Sequence, residues 1–594
     1  MPPTAPYATY RERARSLLTA TSALSLNSLD YLEFFLFVAA LSLVGFLSGK
    51  GERASSSEYF LAGRKLRWYV VGASYIAANI STEQFIGMVG AAFLLGICPA
   101  LYEWLNVFTF LFMIFIFIPF LLSSKVVTIP EFLARRYGPV VRQIFAFTTV
   151  IANILIFMAA VLYTGGLALN GFFDWPMPLC IVLTGLFAGG WAIYGGLSSV
   201  AWTGVFTAVV KITGASAVTV LGLLAVNGHG NIIDGFRTVI ERNRAASGAW
   251  HDALSHVVSH LTTSDSYNRL SVFQGPDHPL TPWTGLFFLV MSVSIWYNVL
   301  NQFMIQRILG SRSIWDARMA VVFAGYVKLL LPLITVLPGL ILFALHPEFL
   351  LGDWLSAQHQ ADKGYIVLVT ELLPVGMRGL LLAVLFSAVQ ATITSVVNST
   401  ATVLTIDIYV PLFRRNATDD ELVKFGVLAS VASVVLGILI AIWLSQSGGG
   451  IFQYIQTLNA FFAPPFAAIF VLGILTRRVN STGGILAIVG GFAVGVLLKI
   501  VGVLMVMPAW FYPFANQAAV TWLASMALCL IGSGLHRGAV EPPLAERATL
   551  WDSAALLRVG LGDVWYKSVI LWSVGFVVLI LGAMLLFSDL FFPR

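Results

Sequence analysis

The chain has 594 residues, of which 58% are hydrophobic and only 10% are charged, and its formal net charge is +6 at pH 7. These proportions exclude a water-soluble globular domain as the main body of the chain. They predict a membrane protein whose small positive charge needs no nucleic-acid partner, because it falls in the loops between spans.

Apolar runs of about 20 residues, long enough to cross about 30 Å of hydrocarbon, recur along the whole chain. Because the runs are continuous rather than alternating, they predict helices and not the strands of a barrel. We expect about fourteen spans, at residues 32–49, 68–95, 98–124, 143–169, 179–196, 201–227, 284–306, 319–345, 376–404, 424–446, 452–475, 483–505, 516–536 and 568–591.

The loop charges predict the orientation. With the N-terminus outside, the inner loops hold about 21 Lys and Arg residues and the outer loops about 10. Both termini are therefore expected on the extracellular or periplasmic side of the plasma membrane.

The first feature along the chain that departs from apolar character is ANISTEQFIGM, residues 78–88, inside the run 68–95. Asn79, Glu83 and Gln84 stand where a lipid-buried helix is expected. A second run is interrupted in the same way by SVSIWYNVLNQFMIQR, residues 292–307, which offers Asn298 and Gln302. Paired interruptions are typical of transporters built from inverted repeats around a midplane binding site. Residues 68–227 and 284–475 would be those repeats.

Charges within the spans are few, and each costs at least about 2.5 kcal/mol at the bilayer centre unless it is paired or faces water. Lys499 is close enough to a helix end to reach the surface. Glu83 is expected to point away from the site and to make a structural hydrogen bond. Glu103 and Lys328 lie on spans next to the two interruptions. The charged residues concerned are Glu83, Glu103, Lys211, Lys328 and Lys499.

A carboxylate, an ammonium and several amides around a midplane cavity suit a neutral polyhydroxylated solute, because each hydroxyl both donates and accepts. Flat aromatic faces nearby would support a sugar ring, and the candidates are Tyr102, Trp104, Trp296 and Tyr297. An amino acid remains an alternative, since its carboxylate would bind at a helix N-terminus or a bound cation. No Walker-type GxxxxGK[ST] is present, so we expect a gradient to supply the energy. No nucleophile, base and orienting group recur at suitable spacing, so an enzyme is not expected.

Several segments together resemble the sodium/solute symporter family, and within it the sodium/glucose and sodium/galactose cotransporters. They are YFLAGRKLRWYVVGASYIAANISTEQFIGM followed by LYEW, AIYGGLSSVAWTG at 192–204, WYNVLNQFMIQR at 296–307, the span that contains Lys328, VVNSTATVLTIDIY at 396–409 and IFQYIQTLNAFFAPPFAAIF at 451–470. The resemblance implies an all-α LeuT-type fold, with ten core helices in two inverted five-helix repeats, four peripheral helices and transport by alternating access.

The resulting domain prediction has six parts. They are an extracellular N-terminus at 1–31, a peripheral first helix at 32–49, core helices 1–5 at 68–227, an extracellular loop at 228–283, core helices 6–10 at 284–475, and peripheral helices at 476–594 that include a cytoplasmic linker at 537–567.

The resemblance also assigns substrate contacts by position. Tyr297 would close the cytoplasmic side of the pocket, and its neighbour Asn298 stands where these sugar carriers typically have Trp. Asn459 lies one helical turn from Gln456 and joins the set by that spacing. The expected substrate residues are Asn79, Gln84, Glu103, Tyr297, Lys328, Gln456 and Asn459.

The coupling ion is assigned in the same way. A sodium ion would lie where the broken first core helix crosses the eighth, at Ala77, Ile80, Ala388, Ala391 and Thr392. Ala391 replaces one of the expected hydroxyls, which weakens an oxygen site. Thr394 and Ser395 match hydroxyls of a second sodium site, but the expected Asp is Gly204, so a second sodium ion is not expected.

Lys211 lies seven residues beyond Gly204, on nearly the same helix face and about 10.5 Å along the axis. Because side chains lean toward the helix N-terminus, its amine would point back toward the vacated region. The hypothesis is that the Lys211 ammonium stands where sodium normally binds, which makes the carrier sodium-independent or proton-coupled.

The leading prediction is inward symport of a hexose such as glucose or galactose, driven by sodium as the family implies. Two alternatives stay open: a proton-coupled or sodium-independent sugar carrier, and a symporter of an amino acid, nucleoside or carboxylate. The expected partners are the lipid bilayer, a small-molecule sugar and Na+ or H+, with no cofactor.

Overall fold

The computed structural model describes residues 27–50, 55–228, 230–261, 267–351, 354–374, 376–446, 451–535 and 554–593. Within these ranges the protein is helical and has no strand, only two isolated β-bridges. The all-α prediction is therefore confirmed for the described chain. Most of the predicted N-terminal segment 1–31 and residues 537–553 of the predicted linker lie outside the described residues.

The helices that form the body of the molecule follow one another through the chain with short connections. They are Ser28–Gly49, Trp68–Asn79, Glu83–Leu95, Ala100–Ser123, Pro139–Phe173, Met177–Gly190, Gly196–Val226, Trp283–Leu300, Gln302–Leu309, Ile314–Leu330, Pro332–Leu345, Arg378–Leu412, Asp419–Leu444, Phe452–Leu475, Ser481–Leu504, Phe514–Leu535 and Val569–Leu586. Helices in the connecting segments are Ser56–Leu61, Ile129–Tyr137, Ile232–Asn243, Gly248–Leu261 and Trp354–Leu372.

Eleven helices of the described chain are long and apolar enough to cross a membrane, and there are twelve if the pair Ile314–Leu330 and Pro332–Leu345, bent by 44°, counts as one span. Glu83–Leu95 and Met177–Gly190 are apolar but shorter, so the predicted count of fourteen is not confirmed. The predicted run 68–95 is interrupted because a backbone break precedes Glu83. The predicted runs 179–196 and 201–227 meet at a kink at Gly196, where φ is +56°.

Burial separates a central group of helices from a peripheral one. In the most apolar 18-residue stretch of Arg378–Leu412, 94% is buried. The corresponding value is 22% in Ser28–Gly49 and 28% in both Ser481–Leu504 and Val569–Leu586. An apolar helix that exposes most of its surface is stable only against lipid. The chain is therefore a multi-pass membrane protein with a buried helical centre. Its predicted orientation, with both termini outside, stays a prediction.

The first broken helix consists of Trp68–Asn79 and Glu83–Leu95. The helix ends at Asn79 because Ile80 is extended, with φ −83° and ψ 91°. The Ser81 hydroxyl accepts from Glu83 N at 3.2 Å, and Gln84 Oε1 accepts from Ser81 N at 2.8 Å. The Gln84 side chain caps the Ser81 N–H as in a Ser-x-x-Gln capping box, whereas the Ser81 hydroxyl accepts from Glu83 N and not from Gln84 N. Ser81 and Gln84 thus satisfy backbone N–H groups at the break.

The second broken helix consists of Trp283–Leu300 and Gln302–Leu309. Asn301 is extended, with φ −70° and ψ 117°, and its side chain accepts from Phe303 N. Both interruptions predicted from sequence are therefore confirmed as breaks. After each break the helix begins again, and a polar side chain, from Gln84 or Asn301, accepts a hydrogen bond from an exposed backbone N–H.

The segment between the repeats is anchored on the first broken helix by Arg269, which is 2% exposed. Its guanidinium donates to the carbonyl oxygens of Leu94, Phe93 and Ala92 at 2.7, 2.8 and 3.3 Å. It also lies over the ring of Phe343, 3.9 Å from the centroid. A cation at a helix C-terminus satisfies orphan carbonyls and complements the helix dipole.

His346, just beyond Pro332–Leu345, predicts a pH dependence of stability. Burial alone disfavours the imidazolium, but its hydrogen bonds to the carboxylates of Glu348 at 3.1 Å and Glu371 at 2.6 Å outweigh this effect and raise the pKa of His346 to about 9. A raised native pKa stabilises the fold fully below the unfolded value of about 6.5, and this contribution is lost as pH rises through about 9.

We therefore expect the free energy of unfolding to fall by about 2 kcal/mol between pH 7 and pH 10, after discounting for the partly exposed Glu371. Thermal unfolding in detergent measures this loss. The matched control is His346→Gln, which should lack this part of the pH dependence. Identical pH profiles for the two proteins would contradict the assignment.

Candidate functional site

A cavity of about 60 Å³ lies beside the two breaks in the middle of the helical centre. It is enclosed by both broken helices and by the helices that carry Glu103, Lys328 and Gln456. Its walls are formed by Asn79, Glu83, Gln84, Met88, Tyr102, Glu103, Asn106, Val293, Ser294, Tyr297, Lys328, Phe452, Gln456 and Asn459. All seven residues predicted as substrate contacts are in this set.

The charged centre of the cavity is a buried ion pair. Lys328 Nζ donates to Glu103 Oε2 and to Asn79 Oδ1, and both charged side chains are under 5% exposed. A buried pair is retained only if further hydrogen bonds satisfy its remaining polar atoms. Here Asn79 at the break supplies one of them, so the pair joins the first broken helix to two other core helices.

Several amide groups in the cavity wall still have hydrogen-bonding capacity. Asn79 Nδ2 and Asn459 Oδ1 are buried and have no hydrogen-bond partner among the described residues. Gln84, which also lines the cavity, accepts through its Oε1 from the Ser81 hydroxyl and backbone N–H at 2.8 Å each. Because buried polar groups are normally paired, a donor and an acceptor left open in one cavity point to a polar ligand.

Glu83 was expected to point away from the site, and that expectation is wrong. Its carboxylate lines the cavity together with Glu103 and Lys328. The expectation assumed that helical periodicity continues through the segment. The extended residue Ile80 resets the direction of every side chain after it, so the periodicity of Trp68–Asn79 does not carry over.

The four aromatic rings expected at the solute divide into two pairs. Tyr102 and Tyr297 line the cavity. Trp104 instead stacks on Phe587 at 6.0 Å, and Trp296 stacks on Phe466 at 5.7 Å. The prediction is therefore wrong for the two tryptophans, which are packing residues one position away from cavity residues.

A larger cavity of about 660 Å³ lies on the predicted outer side. Phe452 lines both cavities, and its ring packs edge-on against Tyr102 with centroids 5.4 Å apart. These rings therefore separate the inner site from the outer cavity. On the opposite side, the ring of Tyr297 packs against Phe157 and Phe303. Aromatic rings therefore pack on two sides of the inner site.

Asn298 connects three core helices below the cavity. It accepts from the Tyr75 hydroxyl at 2.8 Å and donates to Asn106 Oδ1 at 2.5 Å. Asn106 also accepts from the Ser294 hydroxyl at 3.1 Å. This buried network explains how a small amide fits at the position where the resemblance leads one to expect Trp.

Asn298→Ala should lower the free energy of unfolding by about 2 kcal/mol, because it leaves buried polar groups of Tyr75 and Asn106 unpaired. The matched control is Asn227→Ala, which removes an exposed amide that bonds to Asn231 O at 2.9 Å. Thermal unfolding of the two variants checks this. Equal midpoints would show that the buried network contributes nothing.

The positions expected to hold sodium are occupied by a lysine. Lys211 is fully buried, and its Nζ donates to Ala77 O at 2.6 Å and to Ile80 O at 2.7 Å. Ala391 packs in an apolar cluster with Ala77 and Ala208 rather than presenting oxygen. The other members of the predicted set, Ala388 and Thr392, are buried beside it, and the Thr392 hydroxyl donates to Ala78 O at 3.2 Å.

Of the residues that match a second sodium site, where no ion was expected, Ser395 contacts an arginine that sequence reasoning passed over. Arg307 is 2% exposed and donates to Ser395 Oγ, to Phe303 O and to Ser74 Oγ, the last at 2.7 Å. A Cβ at Gly204 would lie 2.7 Å from Ser74 Oγ. Among the described residues, the Thr394 hydroxyl donates within its own helix, to Gln390 O and Ala391 O. Two features of the sequence could have indicated this: Arg307 lies in a predicted core segment, and Gly204 stands where the resemblance leads one to expect an Asp.

Comparison with known proteins places this architecture. A sequence profile described as the sodium:solute symporter family matches residues 59–491. The chain belongs to the sodium:solute symporter family. The predicted recognition is confirmed, and the chain is a transporter rather than an enzyme.

Relatives in this family agree on the class of protein. The sodium/glucose cotransporter of Vibrio parahaemolyticus is 32% identical over 85% of this chain and 90% of its own length. The sodium/myo-inositol cotransporter of Canis lupus familiaris is 30% identical over 77% of this chain and 65% of its own length. Membership and these relatives support sodium-coupled symport of a small solute as the activity typical of such chains.

A solved structure shows the fold. A Na+-coupled sialic acid symporter in a substrate-bound, outward-open state superposes with a TM-score of 0.69, at 21% sequence identity, and covers 86% of this chain and 98% of that one. The symporter chain therefore has the predicted LeuT-type fold.

Proposed function

We propose that this symporter imports a neutral polyhydroxylated solute, a hexose such as glucose or galactose, by alternating access at the cavity beside the two breaks. The observation that supports this most is the set of open and charged hydrogen-bonding groups in one cavity. Asn79 Nδ2 donates, Asn459 Oδ1 accepts, and the Lys328–Glu103 pair offers both polarities.

The proposed roles follow from position. Asn79, Gln84, Glu103, Lys328, Gln456 and Asn459 would bind solute hydroxyls, and Tyr297 would close the inner side. The cavity of about 60 Å³ holds only a few water-sized groups, so binding a hexose requires the rings at one end to move outward. Movement of Phe452 away from Tyr102 would join the site to the outer cavity.

A second candidate solute is an inositol. A cyclic polyol carries hydroxyls at every ring carbon and no charge, so the same amides and ion pair suit it, and the relative from Canis lupus familiaris is a sodium/myo-inositol cotransporter. Amino acids, nucleosides and carboxylates are further candidate solutes, and uptake measurements must exclude them.

Uptake of labelled glucose, galactose, myo-inositol and alanine into proteoliposomes tests the proposal. Sodium and pH gradients are imposed separately, so that the driving ion is read in the same experiment. We expect saturable uptake of at least one of the three polyols and none of alanine. Uptake of alanine alone would replace the proposed solute class.

A further inference from the structure

The break in the first broken helix creates a small cation site made of backbone oxygens. In a continuous helix, Ala77 O would accept from Ser81 N and Ile80 O from Gln84 N. Here Ser81 N donates to Gln84 Oε1 at 2.8 Å, and Gln84 N donates to Ser81 O at 3.1 Å. The two carbonyl oxygens are therefore free to bind a cation, at the negative end of a helix dipole.

Lys211 already occupies that site. Its ammonium, reaching across from Gly196–Val226, makes hydrogen bonds of 2.6 and 2.7 Å to the two free carbonyls. The side chain is fully buried, and no carboxylate of the described residues lies within 4 Å of its nitrogen. The hydrogen-bond partners of the Lys211 ammonium in the described chain are thus the carbonyl oxygens of Ala77 and Ile80.

Arg307 fills the neighbouring position in the same way. It bonds Ser74, one turn before the break, and Ser395, on Arg378–Leu412. Like Lys211, Arg307 has no carboxylate of the described residues within 4 Å. The buried carboxylates of the described chain that form ion pairs do so with other cations. Two side-chain cations therefore lie along the contact between the broken helix and Arg378–Leu412.

A free cation has few remaining ligands there, chiefly the Thr392 hydroxyl oxygen, and no favourable potential. The carbonyl oxygens that could bind it are used, Ala391 offers only a methyl group, and two buried positive charges repel a third in a medium of low dielectric constant. In the adjacent cavity Lys328 and Glu103 neutralise each other, and Glu83 adds one further carboxyl group. The positive charges of this region therefore belong to side chains of the protein, Lys211 and Arg307, and not to a bound ion.

We propose that Lys211 and Arg307 take the place of bound sodium ions, so that this symporter binds its solute and holds its helices together without sodium. A tethered ammonium cannot leave to the other side of the membrane as a sodium ion does. The sodium gradient would therefore not drive this carrier, although it belongs to a sodium-coupled family. As an account of coupling, the inference rests on the proposed function.

The test uses the purified full-length chain in detergent, in sodium chloride and in choline chloride at equal ionic strength. Anything that binds the folded state raises its stability. We expect the midpoint of thermal unfolding to be the same in the two salts, within about 1 °C. A rise of several degrees in sodium would overturn the proposal, whether or not any solute binds.

The second measurement is the affinity for labelled glucose, galactose and myo-inositol in the same two salts. Equal affinity supports the proposal, and binding that requires sodium overturns it. If none of the three solutes binds, the proposed function fails, while the unfolding midpoints still decide the question of sodium. The two failures are therefore distinguishable.

A variant isolates the lysine. Lys211→Met removes the ammonium and keeps the chain length, and it should lower the unfolding midpoint and weaken solute affinity by about tenfold or more. The matched control is Lys424→Met, which removes an exposed lysine paired with Asp420 at 2.6 Å. Wild-type affinity and midpoint in Lys211→Met would overturn the proposal. If Lys211→Met does not fold, the unfolding midpoints of the wild-type protein in sodium chloride and choline chloride still decide whether sodium binds.

Discussion

Replacing Glu103 and Lys328 together by glutamine should weaken solute binding at least about 100-fold while leaving the protein folded. The pair presents charge-assisted hydrogen bonds, each worth about 1.5–3 kcal/mol, and two lost bonds account for that factor. The double change is chosen because a single one leaves a buried charge unpaired, which costs about 3–5 kcal/mol and confuses folding with binding.

The control is a second buried pair that lies away from the cavity. Arg142 Nε donates to Asp407 Oδ1 at 2.8 Å, and Asp407 is fully buried. The double variant Arg142→Gln with Asp407→Asn removes the same charges and should keep wild-type solute affinity. Equilibrium binding of labelled solute to both double variants makes the comparison. Equal loss of affinity in the two would show that charge removal perturbs the fold rather than the site.

Arg269→Met should lower the free energy of unfolding by about 3–5 kcal/mol. The change removes the donor to three carbonyl oxygens at the end of Glu83–Leu95 and leaves them buried. The methionine chain fills much of the space, so the loss reports mainly the hydrogen bonds. We expect the outer end of the first broken helix to loosen.

Thermal unfolding in detergent measures the effect of Arg269→Met. Arg242→Met is the matched control, since Arg242 donates a single bond, to Ala344 O at 2.9 Å, and lies over the Trp250 ring. A loss no larger than that of the control would mean that Arg269 does not hold the helix end.

Much of the site was predictable because it depends on residue type inside apolar runs. Asn79, Glu103 and Lys328 stand out there, since polar groups in lipid-buried helices need partners or water. The interruptions within 78–88 and 292–307 were predicted by the same reasoning, and the structure places the breaks at Ile80 and Asn301. The polar side chains that cap the restarted helices were not predicted.

What failed from sequence depended on backbone direction. Glu83 faces the cavity because an extended residue precedes it, and Trp104 and Trp296 turn away although their neighbours line the site. Arg269 could not be placed from sequence, because its partners lie about 175 residues earlier in the chain. The direction of Lys211, in contrast, followed from helix geometry alone, since its side chain points toward the helix N-terminus.

The central claim is that the cavity beside the breaks recognises a neutral solute by its hydroxyl groups. Equilibrium binding of labelled glucose, galactose, myo-inositol and alanine to the purified wild-type chain, each repeated with the glutamine double variant at Glu103 and Lys328, tests it directly. We predict saturable binding of a polyol that the double variant loses. Binding of alanine alone, or polyol binding that survives the double change, would contradict the account.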